Sequence, residues 1–134
     1  MARVLILIGS ESDRERMEKA LPILRDAGVE AEIVVSSAHR DPDRTAELAR
    51  TAEERGFNVV ICGAGLAAAL PGVVAAHTRL PVIGVPLSAG TLGGLDALLA
   101  IAQMPPGVPV ATVGIDNARN AAHLALRILG RTAG

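Results

Sequence analysis

Short runs of apolar residues recur along the chain, and longer amphipathic segments separate them. Uninterrupted runs of about five apolar residues are typical of strands that helices cover on both faces. The first amphipathic segment carries apolar residues at helical spacing, as Met17, Leu21 and Leu24 show. The pattern predicts strands at 3–8, 30–35, 58–62, 81–85 and 109–113. It predicts helices at 14–27, 42–55, 92–102 and 117–129, and a further helix that follows the 63–72 loop and ends near residue 78.

The regular alternation of strand and helix predicts an α/β protein with a parallel sheet, because such strands are joined by right-handed helical crossovers. We predict a three-layer αβα sandwich with the flavodoxin-like strand order 2-1-3-4-5. A length of 134 residues without a linker-like stretch predicts one domain, over residues 1–134. We expect Pro22 to kink or split the first helix, and residues 130–134 to be frayed.

Composition argues against several classes of function. The net charge is −1, and the chain has one Phe and neither Trp nor Tyr, so it lacks the basic surface and the stacking platforms that nucleic acids need. Met1 leads directly into a strand, and no apolar run approaches the roughly 20 residues that cross a membrane, so we expect a soluble cytoplasmic protein. Cys62 is the only cysteine, and its apolar flanks predict an inert core residue. His77 and His123 have no partners at ligand spacing, so we predict no metal site.

Candidate chemistry is concentrated after the second predicted strand, in Ser36-Ser37-Ala38-His39-Arg40-Asp41-Pro42. Ligands of open α/β sheets bind outside the carboxyl ends of the strands, and this segment begins at such an end. Imidazole titrates close to neutral pH, so His39 suits proton transfer. The guanidinium of Arg40 suits phosphate or carboxylate. The alternative is that His39 caps the next helix and Arg40 is a solvated surface charge.

Three other strand-end loops carry weaker signals. Ser10, Ser12 and Asp13 follow the first strand, where hydroxyls could bind an anion and the carboxylate could bind ribose hydroxyls. Taken alone, this motif favours the alternative that Ser12 or Asp13 caps a helix. Gly63, Ala64 and Gly65 would let a ring approach the backbone closely, or could simply permit dense packing. Ser88 follows the fourth strand and is expected at the same sheet edge as His39.

Taken together, these motifs resemble the PurE family, and the match covers essentially the whole chain. The motifs are Gly9-Ser10-Glu11-Ser12-Asp13, Ser37-Ala38-His39-Arg40, Gly63-Ala64-Gly65, Ala68-Ala69-Leu70-Pro71-Gly72, Pro81-Val82-Ile83-Gly84-Val85-Pro86 and Gln103-Met104-Pro105-Pro106-Gly107-Val108-Pro109-Val110. Members of this family act on aminoimidazole ribonucleotides in de novo purine synthesis. One branch isomerises N5-carboxyaminoimidazole ribonucleotide to the 4-carboxy isomer, and another carboxylates aminoimidazole ribonucleotide directly with CO2. Neither branch needs ATP, a metal or an organic cofactor.

The resemblance also implies roles for individual residues. His39 would be the general acid and base, and Asp13 would bind the ribose. The 5′-phosphate would be bound by Ser10, Ser12, Ser37 and Arg40. A dry pocket of Gly63, Ala64, Gly65 and Ser88 would retain CO2, and Ala38, Ala69 and Leu70 would complete the substrate site. The family forms octamers with shared active sites, and the alanine-rich segment 67–76 favours a homo-oligomer here.

Ala69 departs from the pattern of the mutase branch, which usually has histidine before Leu-Pro-Gly. The direct-carboxylase branch also lacks that histidine, but it usually differs at Pro71 and around Gln103. We predict a mutase because Pro71-Gly72 and Gln103-Met104-Pro105 match that branch. The alternatives are a direct carboxylase, a silent nucleotide-binding homologue and a related nucleotide carboxylase of nickel-pincer cofactor synthesis. The segments Ala69-Leu70-Pro71 and Ile115-Asp116-Asn117 faintly resemble that last enzyme, but Ser37-Ala38-His39-Arg40 with Gln103-Met104-Pro105 argues against it.

Overall fold

A sheet of parallel strands forms the centre of residues 1–131, the part of the chain that the computed structural model describes. The strands are β1 (Arg3–Ile8), β2 (Glu30–Val35), β3 (Val59–Ala64), β4 (Val82–Pro86) and β5 (Ala111–Thr112). They are ordered β2-β1-β3-β4-β5, and every neighbouring pair is parallel. The predicted flavodoxin-like order is confirmed. The last three residues of the predicted 1–134 domain, and of the predicted frayed end, lie outside the described residues.

Helices cover both faces of this sheet. The helices are α1 (Arg14–Met17), α2 (Ala20–Asp26), α3 (Pro42–Thr51), α4 (Leu70–His77), α5 (Leu95–Ala102) and α6 (Ala118–Ile128). Alternate residues of β1 point to opposite layers: Ile6 packs in the core that includes α1, α2 and α6, whereas Leu5 and Leu7 pack in the core that includes α3, α4 and α5. The three-layer αβα class is therefore confirmed.

Several element boundaries differ from the sequence prediction, among them the end of α3 at Thr51 and the start of α5 at Leu95. The first predicted helix is split into α1 and α2 around Glu18 and Lys19, and Pro22 lies in the first turn of α2, where a missing N–H is tolerated. β3 continues through Gly63 and Ala64, which the sequence assigned to a loop. β5 has two residues rather than five, because it pairs only with β4 at the sheet edge.

The apolar face of α6 also differs in detail. The spacing of apolar residues in 117–129 predicts an apolar face of Ala121, Ala122, Leu124, Ala125 and Ile128. In the structure Ile128 is exposed. The buried set instead extends to Ala118 and Leu126.

The parallel arrangement places the chain segments that follow β1, β2, β3 and β4 at one edge of the sheet. These segments carry most of the polar residues that the sequence identified as candidates. No helix within residues 1–131 has the length and apolar character needed to cross a membrane.

Candidate active site

A cleft of about 460 Å³ opens at the carboxyl edge of the sheet. All of the predicted site residues except Gly63 and Ser88 line it. Its lining comprises Gly9, Ser10, Ser12, Asp13, Ser37, Ala38, His39, Arg40, Ala64, Gly65, Leu66, Ala67, Ala69, Leu70 and Ala89. The cleft therefore unites the segments that follow β1, β2 and β3, with one residue from the segment after β4.

The segment that carries His39 is held by hydrogen bonds at its base. The Ser37 hydroxyl accepts from the backbone N–H of Arg40 at 3.1 Å, and the Ser37 carbonyl accepts from the N–H of Asp41 at 2.9 Å. The buried Thr45 hydroxyl lies 2.7 Å from the hydroxyl of Ser36, 3.2 Å from the Ser37 carbonyl and 3.0 Å from the Asp41 carbonyl. These contacts tie the turn to the first turn of α3, so the exposed His39 side chain extends from a fixed base.

His39 does not cap α3, whose N-cap residue is Asp41. Its Nε2 atom lies 2.9 Å from the carbonyl oxygen of Ala67 in the segment after β3. Because a carbonyl oxygen can only accept, Nε2 donates in this contact, and Nδ1 is left as the acceptor nitrogen of the neutral ring. Ala67 has φ of 46°, in the left-handed region that non-glycine residues seldom occupy. The contact leaves one defined nitrogen of His39 able to take a proton.

The turn after β1 presents two hydroxyls and a carboxylate. The Ser10 hydroxyl lies 2.9 Å from the Ser12 hydroxyl and accepts from the Ser12 N–H at 3.3 Å, so Ser10 caps the 3-10 turn Glu11–Asp13. Asp13 makes no side-chain cap to α1. Burial raises the pKa of Asp13, and the guanidinium of Arg16 opposes that rise without cancelling it.

Ser88 does not line the cleft, although the resemblance placed it in the CO2 pocket. Its hydroxyl donates to Asp116 Oδ2 at 2.5 Å and its N–H donates to Asp116 Oδ1 at 2.9 Å. Arg16 donates to the Ser88 carbonyl at 2.8 Å and to Asp116 Oδ1 at 3.0 Å. Desolvation acts to raise the pKa of Asp116, but the hydrogen bonds from Ser88 and the charge of Arg16 outweigh it and lower that pKa. Ser88 thus belongs to a polar cluster behind Asp13.

Gly63 also lies outside the lining, because it is part of β3 and packs against α1. A Cβ atom there would stand 2.6 Å from the sulfur of Met17, so the glycine serves dense packing. Its neighbour Cys62 is fully buried, and burial raises the pKa of that thiol, as expected for an inert core residue.

The sequence reasoning missed four lining residues: Gly9, Leu66, Ala67 and Ala89. Gly9 lies within a quoted motif, Leu66 and Ala67 lie between two motifs, and Ala89 follows Ser88; these positions were the only available signal. From the sequence, the loop Gln103-Met104-Pro105 is expected to reach this sheet edge only with help from a partner or from the return of the chain. A second, apolar recess of about 430 Å³ adjoins the cleft at His39, Ala67 and Ala69 and extends to Met104. Within residues 1–131, no group of three or more His, Cys, Asp or Glu side chains is arranged to hold a metal ion.

Comparison with known proteins agrees with this geometry. The family model described as AIR carboxylase matches residues 3–133. A Pyrococcus abyssi protein named N5-carboxyaminoimidazole ribonucleotide mutase is 60% identical over 129 residues, which are 96% of this chain and 74% of that protein. A Schizosaccharomyces pombe protein named phosphoribosylaminoimidazole carboxylase is 56% identical over 124 residues, which are 92% of this chain and 22% of that protein.

Among solved structures, the crystal structure of Treponema denticola PurE superimposes with a TM-score of 0.84 at 30% identity. The superposition covers 97% of this chain and 81% of that one. The family match, the sequence identities and the superposition each span nearly all of the chain. The chain belongs to the AIR carboxylase family, the PurE family that its motifs resemble.

Proposed function

We propose that this chain is an N5-carboxyaminoimidazole ribonucleotide mutase, an isomerase that moves a carboxyl group from N5 to C4 of the imidazole in de novo purine biosynthesis. The observation that carries the proposal is the cleft in which His39 lies with the hydroxyls, carboxylate and guanidinium of the segments that follow β1 and β2. The 60% identity to the Pyrococcus abyssi mutase supports the same reaction.

The polar side of the cleft suits a ribonucleotide. Ser10, Ser12 and Ser37 offer hydroxyl donors to a 5′-phosphate, and Arg40 offers a permanent positive charge and a planar pair of donors. Asp13 on the neighbouring turn can accept hydrogen bonds from the ribose hydroxyls. This arrangement would orient the aminoimidazole ring toward His39.

His39 can supply the proton transfers of the mutase reaction. In the first step the N5–carboxyl bond breaks, CO2 departs, and N5 takes a proton from the imidazolium of His39. In the second step C4 attacks CO2, a carbon–carbon bond forms, and the neutral imidazole removes the C4 proton. One residue therefore acts as acid and then as base, and the protons balance without a cofactor. The hydrogen bond from Nε2 to Ala67 makes Nδ1 the nitrogen that we assign to this exchange.

CO2 as a free intermediate must be retained between the two steps. Ala64, Gly65, Ala69 and Leu70 line the cleft beside His39 with small or apolar groups. Such a wall offers no water-binding groups except backbone, so it favours recapture of CO2 over its loss. The resemblance also assigned CO2 retention to Gly63 and Ser88, but neither of them lines the cleft, so we assign this role to the four residues above.

A direct carboxylase is the second candidate, and two observations favour it. Ala69 supplies no second ionisable group beside His39, and the Schizosaccharomyces pombe relative at 56% identity is named a carboxylase. A direct carboxylase would need only the second step above, with CO2 taken from solution. The same cleft and the same base would serve.

Two parallel assays on the purified protein separate these functions. One supplies N5-carboxyaminoimidazole ribonucleotide without bicarbonate, and the other supplies aminoimidazole ribonucleotide with excess CO2; both follow the 4-carboxy product. Rapid turnover in the first assay alone supports the mutase, and turnover in the second alone assigns the carboxylase. No turnover in either assay, with ribonucleotide binding retained, would indicate a silent binding homologue. Absence of both turnover and ribonucleotide binding would favour the related nucleotide carboxylase.

We also propose that the chain works as a homo-octamer. The support from a single chain is an apolar surface that Leu92, Leu95 and Leu99 form at and before α5, where the exposed fractions are 61%, 51% and 48%. A surface of this kind is typical of a protein–protein contact.

A further inference from the structure

Arg16 stands at the centre of a polar cluster that links three segments distant in sequence. From α1, its Nη2 atom donates to Asp13 Oδ1 at 3.1 Å. Its Nη1 atom donates to Asp116 Oδ1 at 3.0 Å and to the Ser88 carbonyl at 2.8 Å. The guanidinium therefore connects the turn after β1 to the segments that follow β4 and β5.

Asp13 is the only member of this cluster that lines the cleft. Its side chain is 14% exposed, so its charge is shielded from water and its position depends on protein contacts. Arg16 holds the Oδ1 atom, and a carboxylate has acceptor capacity for further hydrogen bonds on the other oxygen. The planar guanidinium divides its donors between two sides, with Nη2 on Asp13 and Nη1 on Asp116 and the Ser88 carbonyl, a fixed geometry that the flexible ammonium of a lysine does not provide.

Asp116 in turn holds Arg16 in place. It adopts φ of 59°, a left-handed conformation, and its N–H donates to the Pro86 carbonyl at 2.8 Å. Its carboxylate accepts from both the N–H and the hydroxyl of Ser88. With its backbone and carboxylate bonded to neighbouring segments, Asp116 gives Arg16 a fixed partner on the side away from Asp13.

We propose that Arg16 is a positioning residue that orients Asp13 toward the ribose hydroxyls of the substrate, and that Asp116 and the Ser88 carbonyl hold Arg16 for this task. The identity of the ligand rests on the proposed function, whereas the orientation of Asp13 does not. Loss of Arg16 frees a partly buried carboxylate that must then be ordered by the substrate itself, so binding weakens while the proton transfers at His39 continue.

The first test measures the protein without ligand, by NMR titration of the Asp13 carboxyl carbon. Removing a cation from hydrogen-bonding distance raises a carboxyl pKa, so we expect a higher Asp13 pKa in Arg16→Met than in the wild type. Asp116 lies on the other side of the guanidinium and His39 lines the same cleft, so the titrations of these two groups are recorded in parallel. Arg40 also lines the cleft, but its charge stays constant over the titration. Arg14→Met is the matched control, because Arg14 pairs with Glu11 instead. An unchanged Asp13 pKa in Arg16→Met overturns the proposal.

The second test is a double-mutant cycle on steady-state kinetics. Arg16→Met should raise KM about tenfold and change kcat less than twofold, as expected for one lost hydrogen bond to a charged group. In an Asp13→Asn background the same substitution should have almost no further effect on KM. Arg16→Lys and Asp116→Asn, which disturb the cluster less, should give intermediate KM values, and Arg14→Met should match the wild type.

The outcomes separate this proposal from the proposed function. An equal rise of KM in the wild-type and Asp13→Asn backgrounds shows that Arg16 is merely structural and overturns the proposal. If the wild type lacks turnover in both assays, the proposed function fails, and the Asp13 titration alone then decides the role of Arg16.

Discussion

His39 is an exposed side chain on a well-anchored turn, and its chemistry should be separable from binding. We expect His39→Asn to keep ribonucleotide affinity within a few-fold, because the phosphate and ribose groups are unchanged. Turnover should fall by a factor of about 10² to 10⁴, since asparagine cannot exchange a proton. Calorimetric binding and initial-rate assays on the same preparation measure the two effects.

His123→Asn is the control for that substitution, because His123 is exposed on α6 on the opposite face of the sheet from α3 and α4. It should retain both affinity and rate. A kcat for His39→Asn within tenfold of the wild type would remove His39 from the proton transfers.

Gly84 in β4 packs so closely against its neighbours that the core has no room for a side chain there. A Cβ atom there would stand 2.3 Å from Ile101 Cγ2 and 3.1 Å from Val110 Cγ1. Ile101 is β-branched and lies in a helix, so its rotamer cannot easily yield. We expect Gly84→Ala to lower the free energy of unfolding by about 1–3 kcal/mol, measured by urea denaturation. Gly114→Ala is the control, since the nearest atom to its Cβ is 3.9 Å away, and an equal loss there would refute the packing argument.

The functional role of a single residue could be predicted where a recognisable motif surrounds it. It could not be predicted where the role depends on a partner that is distant in the sequence. His39, Arg40 and Asp13 could be identified because each sits in a short polar segment directly after an apolar strand. Arg16 could not, because it reads as an ordinary polar residue of an amphipathic helix and its partner Asp116 is 100 positions away. Only the folded sheet brings that pair together.

At the scale of elements, the turn that carries His39 depends on α3 through one buried hydroxyl. We expect Thr45→Val, which keeps shape but removes the hydroxyl, to cost about 1–3 kcal/mol because Ser36 loses its buried partner. The base of the turn should loosen, so kcat should fall as well. Denaturation and initial-rate measurements test both expectations.

Thr51→Val on the same helix provides the matched control. The Thr51 hydroxyl donates to the Glu47 carbonyl at 2.8 Å on an exposed face and has no contact with the turn. Its loss should change stability little and kcat not at all. If both valine variants behaved alike, the link between Thr45 and the His39 turn would be unimportant.

Element types were predictable from the sequence because buried strands and amphipathic helices have different apolar periods. The ends of the elements were harder to predict, and β3 and β5 show the physical reasons. Glycine normally predicts a loop, but Gly63 stays in β3 because it pairs with Ile8 and Val85, and a larger residue is excluded there because Met17 fills the space. The apolar pattern predicts five residues for β5, but this strand pairs only with β4, and that pairing extends over only Ala111 and Thr112.

At the scale of the whole molecule, the strand order could be predicted because short crossovers leave few topologies. That order also brought most candidate residues to one edge. Ser88 is the exception that topology cannot resolve: it follows β4 at the expected edge, but its hydroxyl donates to Asp116 and it does not line the cleft. The direction of a side chain that follows a strand is decided by its local hydrogen-bond partners. The pattern of apolar positions does not reveal those partners.

We expect the homo-octamer to form through the apolar surface at α5. Leu95 and Leu99 lie one turn apart on that helix, with Leu92 just before it, and all three are largely exposed in a single chain. We expect light scattering at micromolar protein to give eight times the mass of one chain, and Leu95→Glu with Leu99→Glu to lower that mass. Ile128→Glu, at an exposed apolar residue of α6, should leave it unchanged. A wild-type mass of one chain would refute the octamer, while an octamer that survives both glutamates would move the contact away from α5.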